Sequence, residues 1–129
     1  MKKLDVNTSS REELKDITSQ VKGALAEIGI EDGVCNLYVP HTTAGVTVNE
    51  SADPDVATDI ISQLKQIAPQ GKGYSHREGN ADSHIKSSLI GNTAQIFVEN
   101  GNLQLGTWQG IFFAEFDGPR SRNIWIKAS

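Results

Sequence analysis

From Thr18 onward, apolar Val21, Leu25 and Ile28 recur at i, i+4 and i+7 until Gly29. That spacing predicts an amphipathic helix with Thr18 as its N-cap and the glycine as its stop. A second helix is predicted with Asp53 or Ser51 as cap and Pro54 near its first turn. Its apolar side carries Val56, Ile60, Ile61, Leu64 and Ile67, and it ends at Pro69. Between the two, Val34 to Val39 is apolar and β-rich, bounded by Gly33 and Pro40, and reads as a buried strand; Gly45 to Asn49 reads as another. Lys2 to Val6 alternates as a strand would, and Glu12 to Ile17 is expected to pair with it across the Asn7-Thr8-Ser9-Ser10 turn. Gln70 to Ser83 has no periodicity and is rich in glycine and polar turn residues, the composition of a long loop of the functional or disordered kind. A short helix from Ser83 to Leu89, stopped by Gly91, would place His84 in its first turn. The last third predicts strands over Gln95–Val98, Leu103–Leu105, Gly110–Phe116 and Asn123–Ile126. Asn-Gly and Asp-Gly-Pro turns separate them, and an antiparallel meander is expected.

A chain of 129 residues is one domain by length, short for an enzyme that encloses its own cleft, so a site shared between subunits is expected. Twelve basic against sixteen acidic residues give a net charge of −4, with no basic block or aromatic-basic interleaving. Nucleic acid is therefore excluded as an expected partner. No apolar run approaches the roughly 20 residues that span a bilayer, and the start MKKLDVNTSS lacks the apolar core of a signal peptide. A soluble, cytoplasmic protein without a membrane partner is expected. The single Cys35 lies in the apolar run VCNLYV, where burial is the simplest reading and no intramolecular disulfide can form.

Chemistry concentrates in three stretches. PHTTAGVTVNE, residues 40–50, delivers His41, two hydroxyls (Thr42 and Thr43) and then Glu50 from the end of a buried strand. His41 is either a rigidly held functional imidazole or a surface residue beside threonines that satisfy turn amides. SHREGNADSH, residues 75–84, holds His76 and His84 in a segment that matches no standard zinc spacing. The three histidines are the only ones in the chain. Together they would make an open three-ligand metal site with one position left for water or substrate; apart, they are unrelated surface groups. In GTWQGIFFAEFDGPRSR, residues 106–122, Arg120 and Arg122 lie two apart and would face the same way on extended backbone. That geometry suits either a forked grip on phosphate or pairing with Asp117 or Glu115. With no P-loop or G-x-G-x-x-G pattern, phosphate contacts would have to come from these arginines, Lys86 or loop amides.

Taken together, CNLYVPHTTAGVTVNESADPDV, HREGNADSHIKSSLIGN and NLQLGTWQGIFFAEFDGPRSR resemble the YjbQ-like family of small conserved proteins over nearly the whole chain. The resemblance implies an α+β fold with a seven-stranded antiparallel β-sandwich-like core and about three helices, in the order ββαββααβββ. It also implies a homotrimer with sheets packed about the threefold axis. The resemblance further implies an activity similar to that of thiamine-phosphate synthases, which join a pyrimidine pyrophosphate to a thiazole phosphate. Carried over by position, His41, His76 and His84 match its histidines, Glu50 its acidic residue, and Arg120 and Arg122 its basic cluster.

On that basis the expected function is a transferase of phosphorylated small molecules, working by electrostatics and positioning. His41, His84 and Glu50 are the expected catalytic residues. Thr42, Thr43, Lys86, Arg120 and Arg122 are the expected phosphate contacts, and His41, His76 and His84 the expected metal ligands. Three imidazoles suit a zinc-like ion better than magnesium, which prefers oxygen. Two rival readings use the same residues: a metal-dependent phosphate-ester hydrolase with Glu50 as general base, and a non-catalytic trimer that binds an anionic metabolite.

Overall fold

The computed structural model describes residues 1–71 and 73–129. Among them are eight strands and three helices: β1 (Lys2–Asn7), β2 (Glu13–Asp16), α1 (Thr18–Ile28), β3 (Gly33–Tyr38), β4 (Ala44–Glu50), α2 (Pro54–Ile67), α3 (Ala81–Ile90), β5 (Thr93–Glu99), β6 (Asn102–Leu103), β7 (Gln109–Glu115) and β8 (Ser121–Ala128). The fold is α+β with antiparallel sheets. Seven strands were expected from the family resemblance; the eighth is the two-residue β6, paired with the end of β5 across the Asn100-Gly101 turn. The loop expected over Gln70–Ser83 ends earlier, because α3 begins at Ala81; at Lys72 that expectation lies outside the described residues.

Strand pairing departs most from the expected order. One sheet runs β1-β8-β3-β5-β6 and the other β2-β7-β4. β1 and β2 do not form a hairpin: β1 pairs with β8, Lys2 opposite Ile126, while β2 pairs with β7, Glu13 opposite Glu115. The C-terminal strands are not a meander either, since β7 joins the small sheet and β8 lies between β1 and β3. The physical reason is burial. β7 is buried from Gly110 through Glu115 and requires neighbours on both edges, which β2 and β4 provide.

The two sheets share one apolar core. Cys35, Leu37, Ile96, Val98, Ile124 and Ile126 of the large sheet meet Ala44, Val46, Ile111 and Phe113 of the small one, with Val21, Ala24 and Leu25 of α1 alongside. Cys35 is wholly buried, as expected, and burial pushes its thiol up to about 11. On the other side of the small sheet, Leu64 of α2 packs with Ala114 and Phe116. Asp53 caps α2, its Oδ1 accepting the Asp55 N–H at 2.9 Å. At α1 the cap differs from expectation: Thr18 is the first helical residue, and Asp16 Oδ1 accepts its N–H at 2.9 Å. No helix among the described residues is long and apolar enough to cross a membrane.

Candidate functional site

His41 follows β3 by way of Val39 and Pro40, and His84 sits in the first turn of α3. The two elements bring both imidazoles to one cleft of about 510 Å³, lined also by Thr42, Ser87, Ser88 and Asn92. Gly45 makes this approach possible. A Cβ there would collide with the carbonyl oxygen of Gly91, to which the Val46 N–H is hydrogen-bonded at 3.1 Å. α3 is fastened to the His41 loop by Ser87, whose hydroxyl donates to the Thr42 carbonyl at 2.6 Å.

The backbone N–H of Asn123 on β8 donates to His41 Nε2 at 3.0 Å. A ring nitrogen that accepts carries no proton, so the neutral ring holds its proton on Nδ1 and can donate from there. Burial lowers the His41 pKa, and the positive charge of Arg122 lowers it further. His41 is thus a neutral donor in a positive local field.

His76 meets His84 edge-on, ring centroids 5.1 Å apart, and its Nε2 lies 3.7 Å from Glu78. It belongs to a neighbouring, more apolar depression of about 380 Å³ with Tyr74, Ala81 and Ile85, and His84 lines both spaces. Of these two spaces, His41 lines only the first and His76 only the second. Among the described residues, no three His, Cys, Asp or Glu side chains gather to hold a metal ion. With His41 Nε2 already accepting a hydrogen bond from the Asn123 N–H, the three-imidazole set expected for a zinc-like ion does not fit within one chain.

Several other expected site residues have internal partners instead. Arg122 is buried and binds buried Glu115 through two bonds, Nε to Oε1 at 2.9 Å and Nη2 to Oε2 at 2.5 Å. Its Nη2 also donates to Thr43 Oγ1 at 2.8 Å, so Thr43 is a partner of the arginine. Burial disfavours the Glu115 carboxylate, but Arg122, the Asp117 N–H and the Thr8 hydroxyl outweigh it and lower its pKa. Lys86 is fully buried, with Nζ 2.7 Å from Glu12 and 2.8 Å from Asp82. None of these three is a free phosphate contact. Arg120, half exposed, holds Asp117 at 3.2 Å and is the member of the expected set that reaches solvent as a cation. Thr42, an expected phosphate contact, lines the cleft.

Glu50 is separated from the histidines by the length of β4. It closes that strand, six residues beyond Ala44, which at about 3.4 Å each puts it about 20 Å from the His41 end. There it stands opposite Gln109. Within one chain it is not placed to act as general base or metal partner in this cleft. Ser87 and Ser88 were missed, although their positions three and four after His84 put them on its helix face. The Asn123 amide had no signal, because a backbone group brought in by β8 leaves no trace in residue type.

The sequence model described as "UPF0047 protein YjbQ-like" matches residues 2–129. The chain is 52% identical to the UPF0047 protein MJ1081 of Methanocaldococcus jannaschii over 125 residues, covering 97% of this chain and 91% of that protein. It is 48% identical to the UPF0047 protein YugU of Bacillus subtilis over 128 residues, covering 98% and 97%. A crystal structure of an uncharacterized conserved YjbQ/UPF0047 protein from Clostridium acetobutylicum superimposes with a TM-score of 0.97 at 49% identity, covering all of both chains. A conserved hypothetical protein from Thermus thermophilus gives 0.93 at 42%, again over both whole chains.

These relatives correct the functional expectation. At 52% and 48% identity they carry the UPF0047 designation and no synthase name, so thiamine-phosphate synthase activity has no support in them. The site agrees, since Arg122, Lys86 and Thr43 are spent on internal partners and Glu50 is remote. In sequence over 2–129 and in fold over its described length, this chain belongs to the YjbQ-like UPF0047 family.

Proposed function

We propose that the His41–His84 cleft binds a small ligand through a phosphate or similar oxyanion. In this reading His41 is a fixed hydrogen-bond donor and His84 a second contact to the ligand. The observation that carries it is the Asn123 N–H on His41 Nε2, which commits the other ring nitrogen to donation. The field points the same way: the arginine charge that disfavours an imidazolium at His41 favours an anion beside it. Arg120 adds a second, solvent-reaching positive charge near His41. Ser87 and Ser88 donate their hydroxyl protons to the Thr42 and His84 carbonyls, so the ligand's side-chain donors come from His41, Thr42, His84 and Asn92.

Titration calorimetry with inorganic phosphate tests this. The wild-type chain is expected to bind, and His84→Ala and His41→Phe are each expected to weaken binding by roughly tenfold or more, the loss of about one charge-assisted hydrogen bond. Equal affinity in all three proteins would refute the reading.

The working form in this proposal is a homotrimer joined through the outward face of the large sheet. Support comes from Phe97, 71% exposed on β5, and Tyr38, 42% exposed on β3, together with Trp125 of β8, whose ring lies 5.6 Å from that of Tyr38. Such an apolar patch is characteristic of protein contact surfaces.

A further inference from the structure

α3 has an unusual buried side. Its buried residues are Ala81, Asp82, Ser83, Lys86 and Ser87, so all but the first are polar or charged. A helix of this length is ordinarily held by an apolar stripe, which fixes its face and leaves its exact height adjustable. Here the anchors are directional. Lys86 Nζ lies between Asp82 Oδ2 at 2.8 Å and Glu12 Oε1 at 2.7 Å. Arg11 grips the same Asp82 with both ends of its guanidinium, Nη1 to Oδ2 and Nη2 to Oδ1, each at 3.2 Å. Ser83 donates to the Phe116 carbonyl at 2.6 Å. The Asp82 and Lys86 side chains are 1% and 0% exposed and that of Glu12 is 6%, so water screens these charges little.

His84 lies midway between Asp82 and Lys86 in sequence. At roughly 3.6 residues per turn, two positions carry it to the far side of the helix. The charges therefore hold the back of α3 while His84 looks into the cleft. We infer that Arg11 and Glu12, from the turn that precedes β2, are positioning residues for His84. They act through Asp82 and Lys86 and set the depth at which the imidazole meets His41 and His76. Neither Arg11 nor Glu12 lines the histidine cleft. The consequence for ligand binding rests on the function proposed above; the positioning of His84 does not.

The variant to make is Glu12→Gln, which keeps shape and removes one charge from the pair around Lys86. Lys86→Met is the stronger perturbation but risks the fold, so the decision rests on the glutamine variant. Three quantities are read in each protein: the imidazole resonances of His84 by NMR, the nuclear Overhauser contact between the His76 and His84 rings, and the dissociation constant for inorganic phosphate. Glu12→Gln is expected to stay folded, to shift the His84 resonances and weaken its contact with His76 while leaving those of His41 nearly in place, and to bind phosphate several-fold more weakly. Unchanged His84 resonances and an unchanged ring contact in a folded variant would overturn the inference. So would outright unfolding of Glu12→Gln, which would make the network a stability element only. If wild-type protein fails to bind phosphate, the proposed function falls, and the His84 resonances still decide whether Glu12 positions the ring.

Discussion

Arg122 illustrates how one residue type supports two opposite roles. Spaced two from Arg120 at the end of a turn, it reads as part of an anion grip; folded, it is the buried partner of Glu115 and a donor to Thr43. Arg122→Met would leave a buried carboxylate without its counter-charge and is expected to cost about 3–5 kcal/mol of stability. Urea unfolding of the variant measures this; a phosphate-gripping arginine would instead weaken binding and leave stability nearly unchanged. The acid response follows from the same residues. His41 has a lowered pKa in the folded chain against an ordinary value of 6.5, so below that pH the unfolded chain takes up a proton that the folded one refuses, and stability falls. Glu115 is lowered from 4.5, and its contribution, full above that pH, is lost as pH falls through its folded value. Urea midpoints are therefore expected to drop in two stages on acidification, with the upper stage absent in His41→Gln. At this scale the histidine pair of the cleft was legible from residue type and polar surroundings. The fates of Arg122, Lys86 and Thr43 were not, because their partners Glu115, Glu12, Asp82 and Arg122 are chosen by chain crossings that spacing does not record.

The elements themselves were readable where periodicity was strong. α1 and α2 occupy the segments that their apolar spacing and caps marked out, and β3 and β4 frame the His41 loop as Gly33 and Pro40 indicated. Pairing was not readable. β1 lies beside β8, more than a hundred residues away, and the burial of β7 on both faces and of Arg122, Ile124 and Ile126 on one face of β8 explains why the chain forgoes the local β1–β2 hairpin. α3 was foreshortened in the reading because its buried side is polar and gives no apolar period. The close passage of β4 under the end of α3 is a constraint at this scale. Gly45→Ala would drive a methyl group into the Gly91 carbonyl, with an expected cost of about 1–3 kcal/mol and a displaced Ser87–Thr42 contact. Thermal unfolding gives the first, and the His84 imidazole resonances report the second. A variant as stable as the wild type would show that β4 and α3 do not meet so closely.

For the whole molecule, the sandwich leaves the outer face of its large sheet carrying Tyr38, Phe97 and Trp125, and the proposed homotrimer uses that face. Sedimentation equilibrium is expected to give three times the monomer mass for the wild type and a smaller species for Phe97→Glu, whose added charge would be buried at the contact. A wild-type monomer at micromolar concentration would remove the trimer from the account. In the proposed cleft the Asn123 amide holds His41 as a neutral Nδ1–H donor that shares an anion site with His84. The most direct test is nitrogen-15 NMR of the imidazole rings at neutral pH, with and without inorganic phosphate. His41 is expected to be protonated on Nδ1 alone in both samples, with phosphate shifting His41 and His84 together and His76 less. A His41 ring protonated on Nε2, or phosphate that moves neither His41 nor His84, would contradict it.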